Sequence, residues 1–328
     1  MNLYIKKAAV DSFESIVVSD TPSLTTSVYD VLSVEYPDHC IYMLPKPDKA
    51  MEAKILHIAQ NQLKDASKQT SARICLPMAA AYSSNWEFVG YMALRPFEGS
   101  VDLSVLTSYN RRPIAKMKRF ATLPEWHNKF ERDSTGMVNR VKMLCNIAIA
   151  LRLIPADKYV IGNLVPENIM ITAKGKVSII NLHDIQVCDA GKFLYPIRCF
   201  TPEYMSVDGI KAYRANQPIS HAADLFAIAI NFYQVLIGSH PYGGTVVLPP
   251  FDKTGDTIAE CIEADLFPFG KNSAYITLPA GLNLHSTFTT LPTDIQQLFK
   301  RAFTADNTAR PTIEEWGKVL YNYATTLR

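Results

Sequence analysis

Ile161-Gly-Asn-Leu-Val-Pro-Glu-Asn168, followed by Ile169-Met-Ile-Thr-Ala-Lys-Gly-Lys-Val-Ser-Ile-Ile180 and Asn181-Leu-His183, is the stretch from which the fold is read. Two short apolar runs, Asn168–Thr172 and Val177–Ile180, flank Ala173-Lys-Gly-Lys176. Strand-forming runs around a glycine-bearing turn predict a β-hairpin, with Gly175 supplying the positive-φ position. Upstream, Ser134 is the expected cap of a helix over Thr135–Leu153 that buries Met137, Val141, Leu144, Ala148 and Leu151 at helical spacing.

Further out, the two ends of the chain differ. Ser27–Leu32 alternates with period two, His39–Leu44 is a strand ended by Pro45 and Pro47, and Trp86–Leu94 is another strand. Between them a helix is expected over Asp48–Ala66, with Met51, Ile55, Ile58, Ala59 and Leu63 near one face. After about residue 203 the chain reads as helical to its end. The fold class is therefore α+β: a strand-rich region over residues 1–98 and a mainly helical one over 99–328, joined near Arg95–Asp102.

Composition narrows the partners. The 328 residues are 48% hydrophobic and 20% charged, with a net charge of +2, so no bulk field draws the chain to nucleic acid or to an acidic membrane. The basic stretch Asn110–Arg119 reads as a solvated loop. The six cysteines form no C-x-x-C pair and read as reduced, buried thiols. Nothing like a secretory signal follows Met1. The most apolar run, Leu225–Ile237, is shorter than the roughly 20 residues a bilayer span needs. A cytoplasmic protein is expected. His183-Asp184 and His221 sit in no hydrolase motif.

The opening stretch resembles the catalytic core of protein kinases, where H-R-D-L-K-P-E-N leads through two short strands into D-F-G; the match lies at Leu164, Pro166, Glu167 and Asn168. Further blocks follow in kinase order. Thr201-Pro-Glu-Tyr-Met-Ser206 resembles the end of an activation segment, and Asp224-Leu-Phe-Ala-Ile-Ala229 the start of the long buried helix of the large lobe. Gly238-Ser-His-Pro-Tyr242 and Ala309-Arg-Pro-Thr312 resemble later elements. Phe88-Val-Gly-Tyr91 and Ile185-Gln-Val187 are similar to a set of bacterial serine/threonine-kinase-like proteins with degenerate motifs. The resemblance spans residues 86–103 and 137–316 and is weak before residue 86. It implies one bilobal kinase-like domain, with an N-lobe over 1–98 and a C-lobe over 99–328.

Phosphoryl transfer needs a glycine-rich loop, a strand lysine, a base and metal-holding carboxylates. Where the loop belongs, Ser19–Val28 has no glycine, and the first in the chain is Gly90. Pro22 removes an N–H there, leaving the hydroxyls of Ser23, Thr25, Thr26 and Ser27. Met43 falls at the lysine position, Lys46 lies three residues on, and Glu52 is the one glutamate in the candidate helix. The resemblance puts Asn163 at the catalytic aspartate, Ile161 and Gly162 at the preceding histidine and arginine, Val165 at the assisting lysine and Asn181 at the D-F-G aspartate. An amide cannot act as a general base and brings no charge to magnesium.

Candidate nucleotide-contacting residues are Lys46, Met92, Asn168, Asn181 and Asp184, of which Asn168, Asn181 and Asp184 could ligate metal. Structural roles fall to Asp224, which would hold the catalytic-loop backbone, and to an Asp208–Arg310 pair that would clamp the activation segment. The expectation is a pseudokinase that binds or regulates a protein partner, with weak or no ATP binding. By analogy alone the partner would be a phosphatase or another signalling protein. The alternative is a divergent kinase or nucleotidyl-transfer enzyme using ATP or ADP with Mg2+.

Overall fold

A computed structural model describes residues 1–8, 12–23, 27–61, 70–108, 114–120, 123–189, 191–253, 255–278 and 284–327. Thr25, Thr26, residues 62–66 of the expected helix, and Arg111 and Arg112 of the basic stretch lie outside them.

The first part is a six-stranded antiparallel sheet with one helix. Its strands are β1 (Asn2–Lys6), β2 (Phe13–Val17), β3 (Val28–Asp30), β4 (His39–Met43), then, after helix α1 (Lys49–Gln60) and β5 (Ala72–Ile74), β6 (Ala79–Tyr82) and β7 (Phe88–Leu94). The order is β2-β1-β6-β7-β4-β3, and the sheet curls until its edges meet: Val18 bridges Val31, and Leu32 N donates to Val17 O at 2.8 Å. Joined edges leave few unpaired backbone groups. Alternation then sorts side chains to the two faces. Leu3, Ile5, Ile16, Ile41, Ala79 and Met92 fill the inside, while Cys40, Tyr42, Ala80 and Tyr91 face out onto Met51 and Ile55 of α1. Gly90 is needed where β7 crosses β4: a Cβ there would lie 2.0 Å from Tyr42 O.

Helix α1 ends at Gln60 and starts where Asp48 Oδ1 accepts from Met51 N at 2.8 Å. β5 leaves the first sheet and pairs in parallel with the hairpin read from the sequence. That hairpin is β10 (Ile169–Ile171) and β11 (Val177–Ile179), in a sheet of order β5-β11-β10-β8 with β8 at Val101–Asp102; Gly175 has φ of +85°.

The rest is mainly helical. Helix α2 (Ser104–Thr107) precedes α3 (Ser134–Leu151). The cap of α3 is Asp133, whose Oδ1 accepts from Gly136 N at 2.7 Å; Ser134 is already its first turn. Strand β9 (Tyr159–Val160) joins a second hairpin, β12 (Gln186–Asp189) and β13 (Lys192–Tyr195). Then follow α4 (Val207–Arg214), α5 (Ala222–Ile237), β14 (Val246–Val247), α6 (Ile258–Glu263), β15 (Ile276–Thr277), α7 (Thr293–Ala302) and α8 (Ile313–Thr326). The β14–β15 pair interrupts what the sequence suggested was helix throughout. Helix α5 is buried on nearly every side, which explains its uninterrupted apolar run, and ends at Gly238 in the left-handed conformation. No helix among the described residues is long and apolar enough to cross a membrane.

Two polar devices hold this core. Arg140 of α3 is buried and donates to the carbonyls of Leu106, Phe130 and Val235. His285 is buried with Tyr233 OH 2.7 Å from Nδ1 and Gly243 O 2.7 Å from Nε2; a carbonyl only accepts, so the proton sits on Nε2.

Candidate functional site

The loop after β9 and the residues after β11 face the first sheet across a cleft of 320 Å³. Asp224, buried at the start of α5, fixes the loop: its carboxylate accepts from Ile161 N at 2.7 Å and Gly162 N at 2.8 Å. Gly162 has φ of +70°, and a Cβ on it would strike the Ile197 side chain, so glycine suits this turn on both counts. Asn231 Nδ2 holds Leu164 O at 2.9 Å. Further along, Arg310 and Asp208 meet with Nη2 2.6 Å from Oδ1; Arg310 also donates to Ala222 O and lies over the Phe226 ring. That guanidinium holds the Asp208 carboxyl below its usual range, although burial alone would raise it.

Three amides form a chain through the cleft. Asn181, itself at φ +59°, donates from Nδ2 to Asn168 Oδ1 at 2.7 Å. Asn168 donates from Nδ2 to Asn163 O at 2.9 Å. Asn163 Oδ1 accepts from Thr201 N at 3.1 Å and from Thr201 Oγ1 at 2.9 Å. Val165 is buried beside them.

Asp184 is the cleft's carboxylate, and its neighbours were not foreseen. Lys54 of α1, 2% exposed, places Nζ 3.0 Å from Asp184 Oδ1 and 2.8 Å from Pro196 O. Asp184 Oδ2 accepts from Arg198 N at 2.8 Å and Cys199 N at 3.1 Å. Burial pulls the Lys54 ammonium below its ordinary pKa, and the Asp184 carboxylate opposes that. Arg198 adds an outer tie, gripping Asp48 through both guanidinium nitrogens at 2.7 and 2.8 Å and holding its carboxyl well below the usual range. Helix α1 is thus fastened to segment 184–199 at two points.

The other candidates from the sequence lie elsewhere. Lys46 is exposed and does not line the cleft. Met92 points into the curled sheet, and its neighbour Tyr91 reaches the cleft wall instead, as the two-residue period of β7 requires. Glu52 accepts from Tyr82 OH. Met43, at the expected lysine position, lines the cleft with Ser27, Leu44 and Pro45. Tyr91 stacks on Tyr42 with ring centres 4.9 Å apart and sets its OH 3.3 Å from His183 Nδ1. Burial holds His183 down to about 4, so it is neutral at pH 7.

Behind this wall the sheet and the hairpin share one apolar cluster, in which Val28, Cys40, Tyr91 and Ala93 pack with Met170 and Ile180. Of the cysteines, Cys40, Cys75 and Cys261 are buried, Cys145 and Cys188 half-buried and Cys199 exposed, all as free thiols.

A divalent cation fits this donor set poorly. Both oxygens of Asp184 already have donors, and Asn168 Oδ1 accepts from Asn181. Among the described residues, no group of three or more His, Cys, Asp or Glu is placed to hold a metal.

Lys54 was legible in principle. Met51, Lys54, Ile55 and Ile58 recur at helical spacing, so the lysine sits on the buried face and needs a buried anion. No protein-family model matches the sequence, and no curated protein matches it significantly.

Proposed function

We propose that the chain is a kinase-like protein that no longer transfers phosphate and acts as a pseudokinase, a binding or regulatory module for a protein partner. The observation that carries this reading is Asn163. It stands where the resemblance puts the general base, it is an amide, and its side-chain oxygen is committed to Thr201. The scaffold part of the reading is supported by Asp224 on the loop backbone and by the Asp208–Arg310 pair. Weak or absent nucleotide binding is supported by the missing glycine-rich loop and strand lysine and by the packing of Met170 and Ile180 in one apolar cluster with the sheet. A partner of the signalling or phosphatase kind follows from the resemblance alone.

The rival reading is a divergent ATP-using enzyme. In its favour stands one observation, an ammonium and a carboxylate together at the cleft, Lys54 with Asp184. They are bound to each other, which leaves neither free for phosphate or metal. A thermal-shift titration with ATP and ADP, with and without magnesium or manganese, followed by a phosphate-release assay, separates the two. The pseudokinase reading expects no metal-dependent stabilisation and no release. Metal-dependent stabilisation with turnover would sink it.

A further inference from the structure

A cavity of about 460 Å³ lies between α4, the start of α5, α6 and the turn after α7, and it shares no lining residue with the cleft. That is the size of a small-molecule site. Phe226, Tyr242 and Phe303 line it, all three buried, with Phe303 edge-on to the other two at 5.8 and 5.7 Å between ring centres. Half-buried Phe251 adds a fourth ring. Rings locked edge to face make a fixed apolar wall that suits another flat ring.

Charge narrows the ligand further. Three carboxylates line the cavity, and each has a cation: Asp208 has Arg310 at 2.6 Å, Asp265 has Lys271 at 3.0 Å and Glu263 has Arg214 at 3.9 Å. Lys211 of α4 is exposed, lines the same cavity and has no ion-pair partner among the described residues. Arg310 is 5% exposed. Its terminal nitrogens are engaged by Asp208 and Ala222 O, and its buried Nε has no acceptor. A buried donor left idle is costly, and it is satisfied by an acceptor brought in from outside.

From this arrangement we infer that the cavity is a binding site for a small aromatic carboxylate. The ring of the ligand lies against the four aromatic side chains, and its carboxylate pairs with Lys211, with Arg310 Nε as a donor in the wall. One unmatched ammonium calls for one negative charge, so a phosphate dianion would leave a charge uncompensated. The inference goes beyond the pseudokinase reading and does not depend on it, because the two concern different cavities.

The test titrates the full chain with phenylacetate and 2-naphthoate in a calorimeter, beside 2-naphthamide, which keeps the rings and drops the charge. At least one of the two acids is expected to bind saturably, and 2-naphthamide about tenfold more weakly or worse than 2-naphthoate. Lys211→Gln, at an exposed position, is expected to keep the melting temperature of the free protein and to weaken the acid by a similar factor, whereas Lys211→Arg keeps the binding. The inference is overturned if neither acid binds, if the amide binds as well as the acid, or if Lys211→Gln leaves the affinity unchanged. None of these outcomes touches the pseudokinase reading, which metal-dependent phosphate release would sink.

Discussion

Lys54 brings a buried ammonium against the carboxylate that lines the cleft. A buried ammonium is costly by itself and tolerable only beside Asp184. Removing one partner leaves an unmatched charge, whereas removing both does not. Lys54→Met should therefore lose about 3–5 kcal/mol of stability in urea denaturation, and the neutral pair Lys54→Met with Asp184→Asn should recover most of it. Equal losses in the two proteins would show that the ion pair is not what Lys54 contributes.

The buried histidines make a second prediction at this scale. Burial lowers both His183 and His240 from 6.5 to about 4. A folded-state pKa below the unfolded one means that the unfolded chain binds the proton first. The stability these residues allow is present above pH 6.5 and is lost as pH falls towards 4. The melting temperature should drop across that window. His240→Gln, which keeps a donor for Glu203 O, should flatten the drop; an unchanged slope would remove His240 from the account.

Among the elements, the sequence was most legible where local chemistry decides alone. The β10–β11 hairpin follows from two apolar runs and Gly175, and α5 from an apolar run too long for a strand. The cap of α3 moved by one residue because Asp133 and Ser134 are both good caps and only geometry chooses. The closing of the first sheet was not legible. It depends on β1 and β2, whose short alternating patterns are weak, and on a pairing of Val18 with Val31 that no local signal announces. Met92 and Tyr91 changed places for the same reason, since a strand's faces are assigned only once the sheet has curled. The curl also explains Gly90. Gly90→Ala forces a methyl against Tyr42 O and should cost about 3 kcal/mol or more, with loss of near-ultraviolet dichroism from the tyrosines packed there. A fully stable variant would show that β4 and β7 do not approach so closely.

On the scale of the whole molecule, the proposed reading sets groups that support backbone against positions that would need charge. The groups that hold backbone in place, Asp224 and the Asp208–Arg310 pair, make close hydrogen-bonded contacts. At the positions to which the kinase resemblance assigns phosphoryl-transfer chemistry, the chain has Asn163, Val165 and Asn181, of which Asn163 and Asn181 are tied into an amide chain and Val165 is buried. The same contrast was visible in the sequence, because both sets lie within the blocks that carry the kinase resemblance. Lys54 lies outside those blocks, in α1 where the resemblance is weak, so only its place among the buried positions of that helix could have marked it.

The most direct test of the central claim is phosphoryl incorporation. The full chain is incubated with ATP and either magnesium or manganese, alone and with a generic protein acceptor, and every product is read by mass spectrometry. The account predicts no phosphate on the chain or on the acceptor with either metal. Metal-dependent incorporation that disappears in Asp184→Asn would contradict it.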